Sequence, residues 1–120
     1  MARILVIDDE PVMQRLVARA LPEDDVVVRG DARDALAMLV RGEKFDLILT
    51  DLNMPGMGGR EFHQAVAVMQ PATAALIVFM TGGAVGESDE EFLAGFAGRV
   101  LQKPVQIDQL RSLVRSALQR

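Results

Sequence analysis

Apolar residues follow two periodicities along this chain. Arg3 to Ile7, Val26 to Val28, Leu47 to Leu49, Ala75 to Met80 and Val100 to Gln102 are short runs without polar alternation, and each stops at acids or turn residues. Runs of this kind fit strands covered on both faces, which occur mainly in parallel sheets packed between helix layers. Between them the apolar positions recur at helical spacing. The first set is Val12, Met13, Leu16, Val17, Ala20 and Leu21; the second is Ala32, Ala35, Leu36, Leu39 and Val40. A third comprises Phe62, Ala65, Val66 and Met69, and the last comprises Ile107, Leu110, Leu113, Val114, Ala117 and Leu118. The stretch from Glu87 to Phe96 reads as a further helix, with glycines around it and acids crowding its start, where they favour the helix dipole.

The punctuation agrees with this division. Pro11 suits the first turn of a helix, and Pro22-Glu23-Asp24-Asp25 breaks that helix. Asp31 is a good N-cap for the second helix, Gly42 stops it, and Pro71 terminates the third. Five strands therefore alternate with five helices. With right-handed crossovers this predicts an α/β fold, a doubly wound five-stranded parallel sheet with the flavodoxin-like order 2-1-3-4-5. Residues 1–120 are expected to form a single domain, and the chain shows no internal repeat, linker or low-complexity tract.

Such sheets hold their ligands beyond the carboxyl ends of the strands. The third apolar run delivers Asp51 to that edge and is followed by Leu52-Asn53-Met54-Pro55-Gly56-Met57-Gly58-Gly59, a loop of turn residues. Strands one, four and five end at Asp8-Asp9, at Thr81 and at Lys103. Taken singly, Asp9 suits a helix cap, Lys103 a surface ion pair and Thr81 an ordinary strand position. Together they place acids, an acid, a hydroxyl and an amine on one edge. Three carboxylates drawn together repel one another and require a cation. Mg²⁺ is the candidate, since it takes oxygen ligands and leaves positions open for a phosphoryl oxygen. Asp51 then becomes a candidate nucleophile toward phosphorus, with Lys103 relieving anionic repulsion, Thr81 donating its hydroxyl and Gly82 leaving room for the new group.

Composition narrows the partners. The net charge of −4 argues against nucleic acid and against an anionic membrane, and the absence of Trp and Tyr removes the aromatic platforms used for single strands or sugars. With no Cys there is neither a disulfide framework nor a thiolate metal site. No apolar stretch approaches the roughly 20 residues of a membrane span, so a cytoplasmic protein is expected. His63, the one histidine, lies in a helical pattern away from the strand ends and is read as a surface residue rather than a phosphodonor. The seven methionines are read as core filler.

At these residues the chain resembles the receiver domain of two-component response regulators, from about Arg3 to Leu118. Ile7-Asp8-Asp9-Glu10-Pro11 is similar to the family's acidic pair, and Asp51-Leu52-Asn53-Met54-Pro55-Gly56 to its phosphoacceptor loop. Thr81-Gly82 resembles its hydroxyl and small residue, and Lys103-Pro104 its lysine-proline step. The resemblance implies that Asp51 accepts a phosphoryl group from a phosphohistidine on a sensor histidine kinase or histidine phosphotransfer protein. It implies that Asp9, Asp51 and the backbone carbonyl of Asn53 hold Mg²⁺, with Asp8 assisting through water. Thr81 and Lys103 would bind the phosphoryl oxygens, and the Lys103-Pro104 bond would be cis, a state that is cheap only before proline. Val100 stands where the family commonly carries Tyr or Phe, and Val105 replaces a frequent Phe. Met80 to Gly83 and Val100 to Pro104 look more like receivers attached to hybrid sensor kinases. Modification of Asp51 is expected to reshape the loop from Gly82 to Glu90, and the surface of the helix after it, for an unknown downstream protein.

Other functions remain in view. A receiver-like docking module that is never phosphorylated keeps the same fold. A phosphatase of the haloacid dehalogenase type also uses an Asp nucleophile, but within an Asp-x-Asp motif that Asp8-Asp9-Glu10 lacks. A flavodoxin-like FMN carrier would need a phosphate loop rich in Ser, Thr and Gly after the first strand. The chain stops just after its last helix, which suits either a stand-alone regulator or an excised receiver.

Overall fold

The structure, a computed structural model, describes residues 1–82 and 86–119. Its five strands are β1 (Arg3–Ile7), β2 (Asp25–Arg29), β3 (Leu47–Asp51), β4 (Ile77–Thr81) and β5 (Val100–Gln102). All pair in parallel, in the order β2-β1-β3-β4-β5. Register keeps the carboxyl ends level: Ile7 pairs with Thr50, Asp51 with Met80, and Thr81 with Gln102. The residues that end β1, β3, β4 and β5 therefore meet at one edge.

Six helices connect and cover the sheet: α1 (Pro11–Ala20), α2 (Ala32–Val40), α3 (Gly59–Met69), α4 (Pro71–Ala74), α5 (Glu87–Ala94) and α6 (Ile107–Leu118). Strand side chains alternate between two cores, as the two-residue period requires. Ile4, Val6, Leu47, Leu49, Val78 and Met80 pack with Met13 and Val17 of α1 and with Leu110 and Val114 of α6. Leu5, Ile7, Ile48, Ile77 and Phe79 pack on the other face with α2, with Phe62 and Val66 of α3, and with Ala74 of α4. Every residue of β3 and β4 is buried, which explains the unbroken apolar runs.

The structure corrects the expected elements in four places. Among the described residues there are six helices rather than five, because Pro71 both follows the end of α3 and opens the four-residue α4. Proline at the first helical position forgoes an N–H that would have had no helical partner, and the Gln70 carbonyl accepts from Thr73 and Ala74. As a result β4 begins at Ile77 rather than Ala75. The apolar stripes are narrower than their spacing suggests, since Val12, Val40, Met69 and Ile107 are exposed. Finally, His63 is not a surface residue: it is half-buried, its ring centroid 5.9, 5.8 and 4.9 Å from those of Phe79, Phe92 and Phe96. Asp31 does cap α2, its carboxylate accepting from the Arg33 amide.

Candidate functional site

Asp8 is the best-held residue at the sheet edge. Its N–H donates to the Arg29 carbonyl, its own carbonyl accepts from Gln14 Nε2 at 2.6 Å, and its Oδ1 accepts from the Glu10 amide at 2.9 Å. Gln14 owes its place to α1, one turn inside the acidic corner, and its part was not foreseen in the sequence. The remaining oxygen, Asp8 Oδ2, is fully buried. It lies 3.0 Å from Lys103 Nζ but short of hydrogen-bonding geometry, and it is without a hydrogen-bond partner among the described residues.

Asp51 closes β3, and the following loop folds back against it. The Asn53 amide donates to Asp51 Oδ1 at 3.3 Å, and the Gly59 amide donates to the Leu52 carbonyl at 2.9 Å. Gly59 is required here, because a Cβ at that position would come within 2.5 Å of the Asp51 carbonyl oxygen and 3.0 Å of Leu52 Cα. Gly56 turns the loop with φ of 79°, a conformation that disfavours other residues. Burial pushes the Asp51 carboxyl above its ordinary range; Lys103 opposes this, and the charge of Asp8 adds to it.

Lys103 arrives from the opposite end of the chain. Its Nζ lies 2.8 Å from Glu10 Oε1, 3.0 Å from Asp8 Oδ2 and 3.1 Å from Asp51 Oδ2. Burial works against the ammonium, yet the carboxylates of Glu10, Asp8 and Asp51 hold it well above the usual lysine range. The Lys103 amide donates to the Thr81 carbonyl at 2.6 Å, and the Lys103-Pro104 bond is cis. A Cβ on Gly82 would meet the Lys103 stem at 3.3 Å, so the space that this glycine leaves is lined by the lysine itself. Thr81 is buried at the end of β4.

The edge thus brings together Asp8, Asp9, Asp51, Asn53, Thr81, Gly82 and Lys103. Carboxylate oxygens of Asp8, Asp9 and Asp51 all lie within 4.8 Å of one another. One ammonium does not balance that set, and the buried Oδ2 of Asp8 is left with a lone-pair direction unused. An all-oxygen donor set with an unfilled buried acceptor fits a small hard divalent cation. The sequence also left Glu10 without a role, although it follows the two aspartates directly. Of the expected rearranging loop, Gly83 to Val85 lies outside the described residues.

Comparison with known proteins agrees with the architecture. The family model described as "Response regulator receiver domain" matches residues 4–115. A response regulator receiver protein of Anaeromyxobacter is 32% identical over 117 residues, spanning 94% of this chain and 47% of its relative. The sensor histidine kinase RcsC of Salmonella typhi is 33% identical over 110 residues, spanning 90% of this chain and 11% of the kinase. The chain therefore spans about half or less of these curated relatives. Among solved structures, a response regulator receiver domain protein from Clostridium thermocellum superposes with a TM-score of 0.82 at 25% identity, covering 100% of this chain and 96% of that one. A chemotaxis response regulator of Vibrio cholerae gives 0.76 at 28% identity, covering 98% and 99%. By its sheet order, by the residues gathered at the carboxyl edge and by these matches, the chain belongs to the response regulator receiver domain family of two-component signalling.

Proposed function

We propose that this domain is a phosphoacceptor and that Asp51 takes a phosphoryl group from a phosphohistidine on a sensor histidine kinase or histidine phosphotransfer protein. The observation that carries the reading is the pairing of a buried carboxylate with a positive group from a distant strand, Asp51 Oδ2 with Lys103 Nζ at 3.1 Å, beside a cation-fitting cluster. A carboxylate oxygen attacks phosphorus, the P–N bond to the imidazole breaks, and its electron pair returns to the ring nitrogen. The product is an acyl phosphate on Asp51. Lys103 neutralises charge on the phosphoryl oxygens, and the Thr81 hydroxyl donates to one of them.

Asp8, Asp9, Asp51 and the Asn53 carbonyl would hold Mg²⁺. When bound, the ion offsets the negative charge of carboxylate and phosphoryl oxygens alike. The surface beside the site suits a protein donor: Val12 and Ile107 are exposed, and they line a shallow hollow together with Arg15, Leu16 and Arg19. We take the domain to be the whole of residues 1–120, acting in the cytoplasm on an unidentified downstream protein and not as an enzyme on free substrates.

The test is phosphoryl uptake from acetyl phosphate, read by intact mass. Wild type is expected to gain one phosphoryl group only with Mg²⁺, and Asp51→Asn none. Failure of wild type under conditions that label another receiver moves the reading to a docking module, a role that Val100 in place of an aromatic also suits.

A further inference from the structure

Glu10 occupies the N-cap position of α1, yet its side chain makes no capping hydrogen bond. It turns instead to a residue 93 positions away and makes the shortest of the three contacts to the Lys103 ammonium, 2.8 Å. The three carboxylates around that ammonium differ in freedom. The Asp8 side chain is fully buried, and its backbone and Oδ1 are tied down by Arg29, Gln14 and Glu10. Asp51 is buried as well. Glu10 is 57% exposed, stands outside the Asp8, Asp9 and Asp51 cluster, and returns to water at little cost.

The ammonium donates to Glu10 and to Asp51, and it lies 3.0 Å from Asp8 Oδ2 outside hydrogen-bonding geometry. A phosphoryl oxygen at Asp51 is a further claimant on this ammonium, and of the groups around it the exposed Glu10 is the one free to leave. We propose that Glu10 is a positioning residue that holds Lys103 in its resting place and is the partner exchanged for the phosphoryl oxygen. Glu10 thereby slows phosphoryl uptake. This rests on the phosphoacceptor reading of Asp51.

The experiment compares wild type, Glu10→Gln and Glu10→Asp with acetyl phosphate and Mg²⁺, with Asp51→Asn as the blank. In this reaction Asp51 oxygen bonds to phosphorus, the phosphorus–oxygen bond to the acetyl group breaks, and acetate leaves with the electron pair. Glu10→Gln removes the charge. Glu10→Asp keeps it but is one methylene too short to hold the ammonium. Both variants are expected to take up phosphoryl about twofold to fivefold faster than wild type, the range set by breaking one partly exposed ion pair. In metal-free protein both should also shift the Lys103 ¹⁵Nζ resonance while leaving the thermal midpoint close to that of wild type. Unchanged or slower uptake in both overturns the inference, and so does acceleration by Glu10→Gln alone, which would assign the effect to the local field and not to the contact. If wild type takes up no phosphoryl group, the phosphoacceptor reading fails and this inference falls with it.

Discussion

At the scale of single residues, the site is a set of conflicts that the fold tolerates. Burial pushes the Asp51 carboxyl above its ordinary range, and Asp8 keeps a buried oxygen without a hydrogen-bond partner among the described residues. Residues at functional sites commonly cost stability in this way. The glycine behind Asp51 shows how close the backbone lies. Gly59→Ala would drive a methyl group into the Asp51 carbonyl, and because the obstacle is main chain the loop itself must move. We expect a loss of about 1–3 kcal/mol, the usual cost of overpacking, seen as a lower urea midpoint with an unchanged slope. Phosphoryl uptake should fall with it, since the shifted loop carries Asn53 and starts directly after Asp51.

At the scale of elements, α5 stands apart. It has no fully buried residue, whereas each of the other five helices buries at least one. It is held by Phe92 and Phe96, which pack edge-on against Phe79 of β4 and His63 of α3. A strap from α3 adds to this: the Arg60 guanidinium lies 5.1 Å from the Phe92 ring centroid, donates to the Ser88 carbonyl at 3.2 Å and lies 3.7 Å from Asp89. So lightly anchored an element responds to small changes beside it. Addition of beryllofluoride with Mg²⁺ should alter amide hydrogen exchange from Gly86 to Phe96 more than in α6, and equal protection in both states would remove α5 from the switching surface.

The same cluster has a pH signature. Burial, with Arg99 adding to it, holds the His63 pKa below its ordinary 6.5. The unfolded chain then binds a proton that the folded one refuses. Stability is full above pH 6.5 and declines as pH falls through that value toward the lower folded pKa. Thermal melts between pH 8 and 5.5 should show this decline in wild type and a weaker one in His63→Asn.

At the scale of the whole molecule, a cation held by the acidic edge would couple its binding to folding. A ligand that binds only the folded state raises the melting temperature with its concentration, by about 2.7 kcal/mol at one hundred times its dissociation constant. MgCl₂ should therefore raise the wild-type midpoint above its value in EDTA. The increment should shrink in Asp9→Asn, which removes an exposed member of the cluster without touching the Lys103 ion pairs. An equal increment in both proteins would exclude Asp9 as a ligand.

Much of this was legible in the chain itself. The buried strands announced themselves because a sheet covered on both faces needs unbroken apolar runs, and the strand-end acids, threonine and lysine followed because those runs stop at them. The parallel order came from the alternation of elements. What required the tertiary structure was the detail of contact between side chains distant in sequence. The reach of Glu10 to Lys103, the support of Asp8 by Gln14 and the ring of phenylalanines around His63 each join two or more elements, and local periodicity holds no information on how far a side chain extends across a gap. The extra turn at Pro71 was lost for a related reason: four residues are too few to display a period. Local pattern specified most of the buried surface and where each strand ends, which put the acids and Lys103 on one edge, and packing decided which of those charges touch.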